Sequence, residues 1–397
     1  VSATPSNIAL KGMGGVGSSE SSNVVFKVLD TTGGIKPGTD VTFALNTSVG
    51  GIKLSTTTAK SDASGLASTV VQSGTVALPV SVIATVQGPN GPISTQSTGM
   101  AISGGIPSQK YFSLSADNHS PEGMNIDGTP VNITVRMADR FGNPVPDGTT
   151  VSFNTRGPNA GGSVGNGSGG SGSCSTVNGA CSVTWESQNP RPANGQAYIL
   201  VYAAPGEEGF DDINADGVFD AGDTFTDQGE IFAGSAAAYV SGDNYFDFNQ
   251  DGMYTSGNGK WDGVNCQDST RCGNSQVAVG GFICLVMAGS SASMTTSTTS
   301  VTAAGDVTYS IGDAFGNTLP KDTTIKLVSN SLVNATVTMV PATYKIGDIG
   351  CGGSDPGITI NVAKTSSTSA ATGSFYLEAT TPSGQITDSS VVTINIP

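Results

Sequence analysis

The sequence predicts an all-β protein of three tandem antiparallel β-sandwich domains, and three observations support this. First, the 397 residues include 55 Gly, and only 12% are charged and 6% aromatic; Thr and Val favour strands, while Gly and Asn favour turns. Second, apolar residues alternate with polar ones in short runs such as residues 131–137, which places them on one face of a strand. Third, one strand-turn-strand unit occurs three times, and no helical period exceeds two turns.

The repeated unit has two alternating strands joined by a turn that starts at Asp30, Asp139 or Asp313. In each copy a Gly follows the aspartate after three residues and a Pro after seven. The aspartate supplies the acceptor of an Asx turn, Gly permits a positive φ, and Pro presets the re-entry of the chain. Short strands with a turn about every ten residues are typical of sandwiches of roughly 100 residues.

The spacing of the three aspartates gives the domain boundaries. Asp30 and Asp139 are 109 residues apart, but Asp139 and Asp313 are 174 residues apart, about 65 more than a sandwich needs. We therefore predict domains at residues 1–104, 105–290 and 291–397. The middle one carries an insertion at about residues 205–270, and linkers lie where small residues replace the strand pattern.

The segment from Asp139 to Phe153 resembles the bacterial immunoglobulin-like domains of invasin and intimin. Their hallmark is a strand that ends in Asp-x-x-Gly-Asn-Pro-Val-Pro-x-Gly-Thr-x-Val-x-Phe, and their downstream pattern is matched at residues 61–67 and 176–180. The resemblance covers most of residues 1–200 and, with fewer matches, residues 291–397. It implies three immunoglobulin-like domains that form a rigid spacer or an adhesive rod at a bacterial surface. The lectin-like tip of invasin and intimin has no counterpart here, so no receptor-binding role is implied.

The predicted insertion concentrates the negative charge of the chain. It holds 14 of the 31 acidic residues and a single basic residue, Lys260, so its net charge is −13 against −15 for the whole protein. Such repulsion needs bound cations to offset it, and oxygen ligands at alternating positions suit Ca²⁺. A run of solvated Asx turns is the alternative interpretation.

Two stretches of the insertion match the twelve-residue calcium loop of EF-hand type, in which Gly at the sixth position permits a sharp turn. No flanking helices are evident, so we expect calcium-clamped loops that fold the insertion and stiffen it. In the second loop Asn258 stands at the twelfth position, and Asp262 could supply the closing carboxylate instead. The candidate ligands, with Val218 and Met253 acting through their carbonyls, are Asp212, Asn214, Asp216, Val218, Asp220 and Asp223 in the first loop and Asp247, Asn249, Asp251, Met253, Asn258 and Asp262 in the second.

Six cysteines indicate an oxidising, extracytoplasmic compartment. Cys174 and Cys181 bound one short loop, and Cys266 and Cys272 bound another, so local disulfides would suit both pairs. Six cysteines allow 15 connectivities, but local pairing of the first four would leave Cys284 and Cys351 to tie two domains together. A zinc site is a poor alternative because no CxxC occurs and His119 is the one histidine.

Composition also excludes several functions. A sequence pI of about 4.2 and the absence of Lys/Arg clusters argue against nucleic-acid binding. No apolar run is long enough for a membrane span, and Val1 starts no signal peptide, so we expect a mature form or a fragment of a longer protein. His119 has no nucleophile motif beside it.

We therefore predict a non-enzymatic, extracellular structural or adhesive protein of the bacterial surface, either a rigid stalk or a filament subunit. Calcium and disulfides would stabilise it, and edge strands could pair between subunits. The alternative is a calcium-dependent module that binds a glycan or a host protein, using Trp261, Tyr245, Phe246 and Tyr254. A less favoured alternative is a hydrolase that uses Glu207, Glu208 and Glu230.

Overall fold

The computed structural model of the protein describes residues 1–11, 19–155, 161–164, 172–264 and 266–397. Its regular elements are β-strands, with two 3₁₀ turns at Val49–Gly51 and Gln109–Tyr111. The all-β prediction is therefore confirmed. In these ranges, no helix is long and apolar enough to span a membrane.

The first sandwich encloses a core that includes Val24, Phe26, Phe43 and Val71. Its strands are β1 (Ser2–Thr4), β2 (Asn7–Ala9), β3 (Ser21–Lys27), β4 (Asp40–Leu45), β5 (Lys53–Leu54), β6 (Thr58–Lys60), β7 (Leu66–Gln72), β8 (Leu78–Val80), β9 (Val82–Gly88), β10 (Gly91–Gln96) and β11 (Met100–Ser103). Two sheets have the orders β1-β3-β7-β5 and β10-β9-β4-β6, and a third sheet, β2-β11-β8, completes the unit.

The middle sandwich confirms the predicted alternation, because the side chains of Val131, Ile133 and Val135 are buried beside Phe153 and Trp185. Its strands are β12 (Phe112–Ala116), β13 (Pro130–Met137), β14 (Thr150–Asn154), β15 (Gly162–Val164), β16 (Gly172–Ser175), β17 (Ala180–Ser187), β18 (Gln196–Gly206) and β23 (Val277–Val286). The insertion between β18 and β23 holds β19 (Phe210–Asp211), β20 (Thr224–Phe225), β21 (Phe232–Ala233) and β22 (Asn244–Tyr245). The two main sheets are β12-β13-β17-β15 and β16-β14-β18-β23.

The insertion grows from the end of a long hairpin. Strands β18 and β23 pair with each other from Gln196 opposite Val286 to Gly206 opposite Val277, which leaves residues 207–276 outside the sandwich. Among the described residues of this segment, two short ladders, β19-β20 and β21-β22, are regular. The insertion has its own small core, in which Phe210, Phe219 and Trp261 are buried.

The third sandwich encloses Tyr309, Ile325, Phe375 and Leu377. Its strands are β24 (Ala292–Thr296), β25 (Ser300–Val301), β26 (Gly305–Asp313), β27 (Thr324–Val333), β28 (Ala335–Met339), β29 (Thr343–Lys345), β30 (Ile358–Lys364), β31 (Ala371–Thr380), β32 (Ile386–Asp388) and β33 (Val392–Ile396). One sheet is β24-β26-β30-β28, and the other is β25-β33-β31-β27-β29 with β32 paired to β31.

The repeated turn adopts the predicted Asx geometry in all three sandwiches. The carboxylate oxygen Oδ1 of the leading aspartate accepts backbone N–H groups two and four residues later, at 2.8–3.0 Å in every copy. The glycines have φ of 84°, 77° and 82°. The leading residues are Asp30, Asp139 and Asp313, and the glycines are Gly33, Gly142 and Gly316.

Three disulfides follow the pattern expected from local pairing. Cys174 is bonded to Cys181, Cys266 to Cys272, and Cys284 to Cys351. The last bond joins strand β23 of the middle sandwich to the segment between β29 and β30 of the third. It therefore links the middle and third sandwiches covalently, as expected if the first four cysteines pair locally.

Candidate metal centre

The insertion is attached to the middle sandwich through a buried ion pair between Arg140 and Glu207. The two side chains are only 3% and 1% exposed, and Nε of Arg140 donates to Oε1 of Glu207 at 2.8 Å. The same guanidinium donates to the carbonyls of Gly217 and Val264 at 3.0 and 2.6 Å. Burial raises the pKa of Glu207, and the positive charge of Arg140 opposes that rise. The turn of the sandwich thus holds the insertion by charge and by hydrogen bonds.

The first predicted loop folds around the carboxylate of Asp212. This carboxylate accepts N–H groups from Asp216 at 3.2 Å and Gly217 at 2.7 Å, and Gly217 has a φ of 77°. Asp216 in turn accepts the N–H of Val218 at 2.8 Å. Each of these contacts joins positions that the calcium-loop template assigns to ligands or to the turn.

Asp223 closes the first loop. Its two carboxylate oxygens accept the N–H groups of Ile213 and Asp220, the second and ninth positions, at 2.9 and 3.0 Å. The side-chain amide of Asn214 donates to both Asp216 and Asp220, at 3.1 and 2.9 Å. The amide N–H₂ of Asn214 therefore lies between the carboxylates of Asp216 and Asp220.

The second predicted loop repeats this network. Asp247 accepts N–H groups from Asp251 at 3.1 Å and Gly252 at 2.9 Å, and Gly252 has a φ of 79°. Asp251 accepts the N–H of Met253 at 2.8 Å. The amide of Asn249 donates to Asp251 at 3.1 Å, as Asn214 does to Asp216.

Glu230 closes the second loop from outside the twelve-residue segment. It accepts the N–H groups of Phe248 at 2.8 Å and Thr255 at 3.1 Å, the second and ninth positions that Asp223 serves in the first loop. We expected Asn258 or Asp262 in this role; the hydrogen bonds are made by Glu230 instead, and the ligand assignment stays a prediction. Asn258 and Asp262 bond to each other at 2.9 Å, because the backbone after Thr255 belongs to a further loop.

That third loop is discontinuous in sequence and was not predicted. Asp227 accepts N–H groups from Asn258 at 3.0 Å and Gly259 at 2.9 Å, and Gly259 has a φ of 76°. The side chain of Asn258 accepts the N–H of Lys260 at 2.7 Å. These are the contacts that the first, fifth, sixth and seventh positions make in the other two loops.

Glu208 closes the third loop. It accepts the N–H groups of Gln228 and Asp262, the second and ninth positions, at 2.6 and 2.9 Å. The residue is fully buried, and this burial raises the pKa of Glu208 to about 7. Residues 227–228 and 258–262 form one loop, and the second loop lies in the chain between them.

A sequence signal for this arrangement exists. One five-residue pattern occurs three times: it begins with an acidic residue, has an aromatic residue at its third position and ends in Asp. The final Asp of each unit is the first residue of a loop, and the opening acidic residue of two units closes a loop. The three units run from Glu208 to Asp212, from Asp223 to Asp227 and from Asp243 to Asp247.

The donor set of the loops fits a hard cation. Within the described residues, the ion pairs of the insertion use only Glu207, Asp211 and Asp268, so no carboxylate of the three loops is in an ion pair. Arg271 donates to the main-chain carbonyls of Asp220 and Asp223 in the first loop, not to their carboxylates. No three Asp, Glu, His or Cys side chains in the described part of the chain are grouped as a metal site would group them. Calcium loops also use amide and carbonyl oxygens, and the amides of Asn214 and Asn249 lie between the carboxylates or hydroxyl groups of their loops.

The other candidate residues have structural surroundings. Trp261 is fully buried, and Phe246 stacks on Tyr202 with ring centroids 3.8 Å apart. Tyr245 and Tyr254 are half-buried and pack with Phe232 and Tyr239 in an aromatic cluster, in which the Tyr239 and Tyr254 rings stack at 4.0 Å. His119 lies at the junction with the third sandwich, where its Nδ1 is 3.0 Å from a carboxylate oxygen of Asp348.

No family model and no curated protein matches the sequence. Similar solved structures include the D0-D1 domain of intimin (TM-score 0.23, 19% identity, 51% of this chain and 87% of that chain). They also include invasin, described as a bacterial integrin-binding protein (0.26, 14%, 100% and 59%), and FdeC, an Escherichia coli adhesin (0.33, 12%, 100% and 95%). Intimin and invasin are also the proteins whose immunoglobulin-like domains the Asp139–Phe153 segment resembles.

Proposed function

We propose that this chain is an extracellular structural or adhesive protein of a bacterial surface, in which three sandwich domains form a stiff stalk. The observation that carries the proposal is the bonding between successive hydrophobic cores. A disulfide, the His119–Asp348 contact and hydrogen bonds from Ser383 to Glu122 at 2.6 and 2.8 Å connect the middle and third sandwiches. Domains joined so tightly move together, as a spacer requires.

We also propose that Ca²⁺ stiffens the insertion, which is the part of the stalk with least regular structure. Each loop would hold one ion through oxygen atoms, and neutralising the carboxylates would let the insertion fold. The proposed ligands are those predicted for the first loop; Asp247, Asn249, Asp251, the Met253 carbonyl and Glu230 in the second; and Asp227, Asn258, the Lys260 carbonyl, Asp262 and Glu208 in the third.

Small-angle X-ray scattering in millimolar CaCl₂ tests the stalk. We expect one elongated particle whose maximum dimension does not change with protein concentration. A compact particle, or a distribution of shapes as broad as that of domains on flexible tethers, would contradict the proposal. Light scattering at high concentration decides between a monomeric stalk and a filament subunit, since only the latter grows in mass.

A second function is favoured by the aromatic cluster beside the second loop. Half-exposed tyrosines can stack on sugar rings, and Tyr254 belongs both to this loop and to the cluster. A calcium-dependent glycan-binding module would therefore use Tyr239, Tyr245 and Tyr254. A glycan array with and without EDTA is the test: signal in calcium alone supports binding, whereas silence in both arms supports the stalk.

A further inference from the structure

In the middle sandwich, the segment that precedes β12 covers the exposed edge of the Asp139 turn. The N–H of Gly104 donates to the second carboxylate oxygen, Oδ2, of Asp139. The N–H of Ser108 donates to the carbonyl of Ala138 at 3.0 Å, and the N–H of Ala138 donates to the carbonyl of Tyr111 at 3.2 Å. The incoming segment therefore satisfies three polar groups of the turn.

The third sandwich is entered in a related way. The N–H of Gly289 donates to Oδ2 of Asp313 at 2.8 Å, and the N–H of Ala314 donates to the carbonyl of Ser291 at 3.1 Å. In both cases Oδ1 of the aspartate holds its own turn, and Oδ2 receives the linker glycine. The two aspartates are buried, at 0% and 2% exposure.

The first sandwich has the same turn without a covering segment. Oδ1 of Asp30 accepts the N–H groups of Thr32 and Gly34, both at 2.8 Å. Within the described residues, neither Oδ2 of Asp30 nor the backbone N–H and C=O of Leu29 has a hydrogen-bonding partner. Beside them Leu29 and Ile35, which pair in an isolated β-bridge, are 49% and 50% exposed.

We propose that the Leu29–Asp30 edge is a docking site for an extended polypeptide segment that leads in from another sandwich domain placed ahead of residue 1. Strand addition to an open edge uses main-chain hydrogen bonds, and the three free groups match in kind and position those that Gly104, Ser108 and Tyr111 satisfy in the middle sandwich. The residue of the docked segment that donates to Oδ2 of Asp30 must have a backbone N–H, so this residue cannot be proline.

A covalently attached segment suits this edge better than a free chain. The free energy gained from three hydrogen bonds and two half-exposed side chains is small. It does not offset the translational and rotational entropy that two molecules lose when they associate. A segment already tethered to the first strand has an effective concentration near the millimolar range. The site therefore joins consecutive domains and does not recruit a separate partner.

The test extends the full chain with its own covering segment. Asp30 and Asp139 are equivalent, so Val25 and Thr134, each five residues earlier, are equivalent too. Val25 pairs with Ser2, and Thr134 pairs with Ser115. Val1 therefore corresponds to Leu114 of the middle sandwich. Residues 103–113 fused ahead of Val1 therefore keep the register. We expect the N–H of Leu29 to exchange with deuterium at least about tenfold more slowly in the fused chain, as measured by NMR.

Two variants of the fused chain sharpen the result. Asp30→Asn keeps the Asx acceptor but loses the oxygen that receives the linker, and Gly104→Pro in the fused copy alone removes the donor. Each should return Leu29 to the exchange rate of the unextended chain. Equal exchange rates at Leu29 with and without the fused segment would overturn the proposal, whatever the outcome of the calcium experiments.

Discussion

Arg140 is the residue that most directly joins the insertion to the sandwich. Its guanidinium forms hydrogen bonds with the carboxylate of Glu207 and with two backbone carbonyls. It also lies 5.2 Å from the ring centroid of Trp261. Arg140→Met would leave the carboxylate of Glu207 buried without a partner, which costs about 3 to 5 kcal/mol. Urea unfolding should show this loss, whereas Arg136→Met, at an exposed position of β13 just before the turn, should change stability by less than about 0.5 kcal/mol. Equal effects of the two variants would contradict this role for Arg140.

Glu230 tests the assignment of the closing carboxylate in the second loop. Replacing it by Gln keeps the shape but removes the charge and one strong acceptor, so one of the calcium sites should weaken by about tenfold or more in calorimetry. Glu186→Gln removes the same charge from an exposed position on β17 and should leave all sites unchanged. Unaltered binding in the Glu230 variant would show that this side chain is not a ligand.

At this scale, sequence reasoning succeeded wherever the relevant residues are neighbours in the chain. The Asx role of Asp139 follows from local spacing and is confirmed. The residues from Asp212 to Asp223 were recognised as one loop from the same kind of spacing, and their binding of calcium stays a prediction. Glu230 escaped prediction because it precedes its loop by 17 residues, and no fixed spacing links a closing carboxylate to a loop that lies elsewhere in the chain. Asn258 stands at the twelfth position of the second loop in sequence, but its hydrogen bonds belong to the third loop.

The element of most interest is the split third loop, whose closing residue is fully buried. Burial raises the pKa of Glu208 from 4.5 to about 7, so between these values the native calcium-free chain keeps a proton that the unfolded chain releases. The stability contributed by this group is therefore present below pH 4.5 and is lost as the pH rises through 7.

Thermal melting in EDTA between pH 5 and pH 8 measures this effect. We expect the melting temperature of the wild-type chain to fall as the pH rises, and Glu208→Gln, which cannot ionise, to flatten the profile. Parallel profiles for the two proteins would contradict the assignment. Adding calcium should reduce the pH dependence near neutrality, because an ion favours the ionised carboxylate.

A second prediction at this scale concerns the disulfides. Cys284 and Cys351 are 67 residues apart, and Cys174 and Cys181 are 7 apart. In the chain-entropy treatment, the longer loop contributes about 2 kcal/mol more to stability than the shorter one. Denaturant unfolding of the two Cys-to-Ser double variants should show this order, and a larger loss from the Cys174/Cys181 variant would contradict it.

Elements specified by neighbouring residues could be predicted from the sequence, whereas an element formed by distant residues could not. Strands such as β13 were predictable because the alternation of Val131, Ile133 and Val135 with polar residues indicates which face of the strand is buried. The third loop was not, because its halves are 29 residues apart and neither half alone fills the template. Its signal in the sequence is the threefold recurrence of an acidic residue two places before an aromatic one, which no local loop template contains.

For the whole molecule, the insertion is an acidic body attached to an otherwise almost neutral stack of sandwiches. Ten of its carboxylates belong to the three loops, and none of the ten makes an ion pair with a described side chain. We therefore propose that divalent cations balance this charge. At a tenfold excess over a dissociation constant of about 10⁻⁴ M, each ion adds about 1.4 kcal/mol to the free energy of unfolding.

Calorimetric titration of the EDTA-stripped chain with CaCl₂, followed by thermal melting in both states, tests this claim most directly. We expect heat from three sites per chain and a higher melting temperature in calcium. Absence of binding heat at millimolar CaCl₂, together with melting that is indifferent to EDTA, would contradict it.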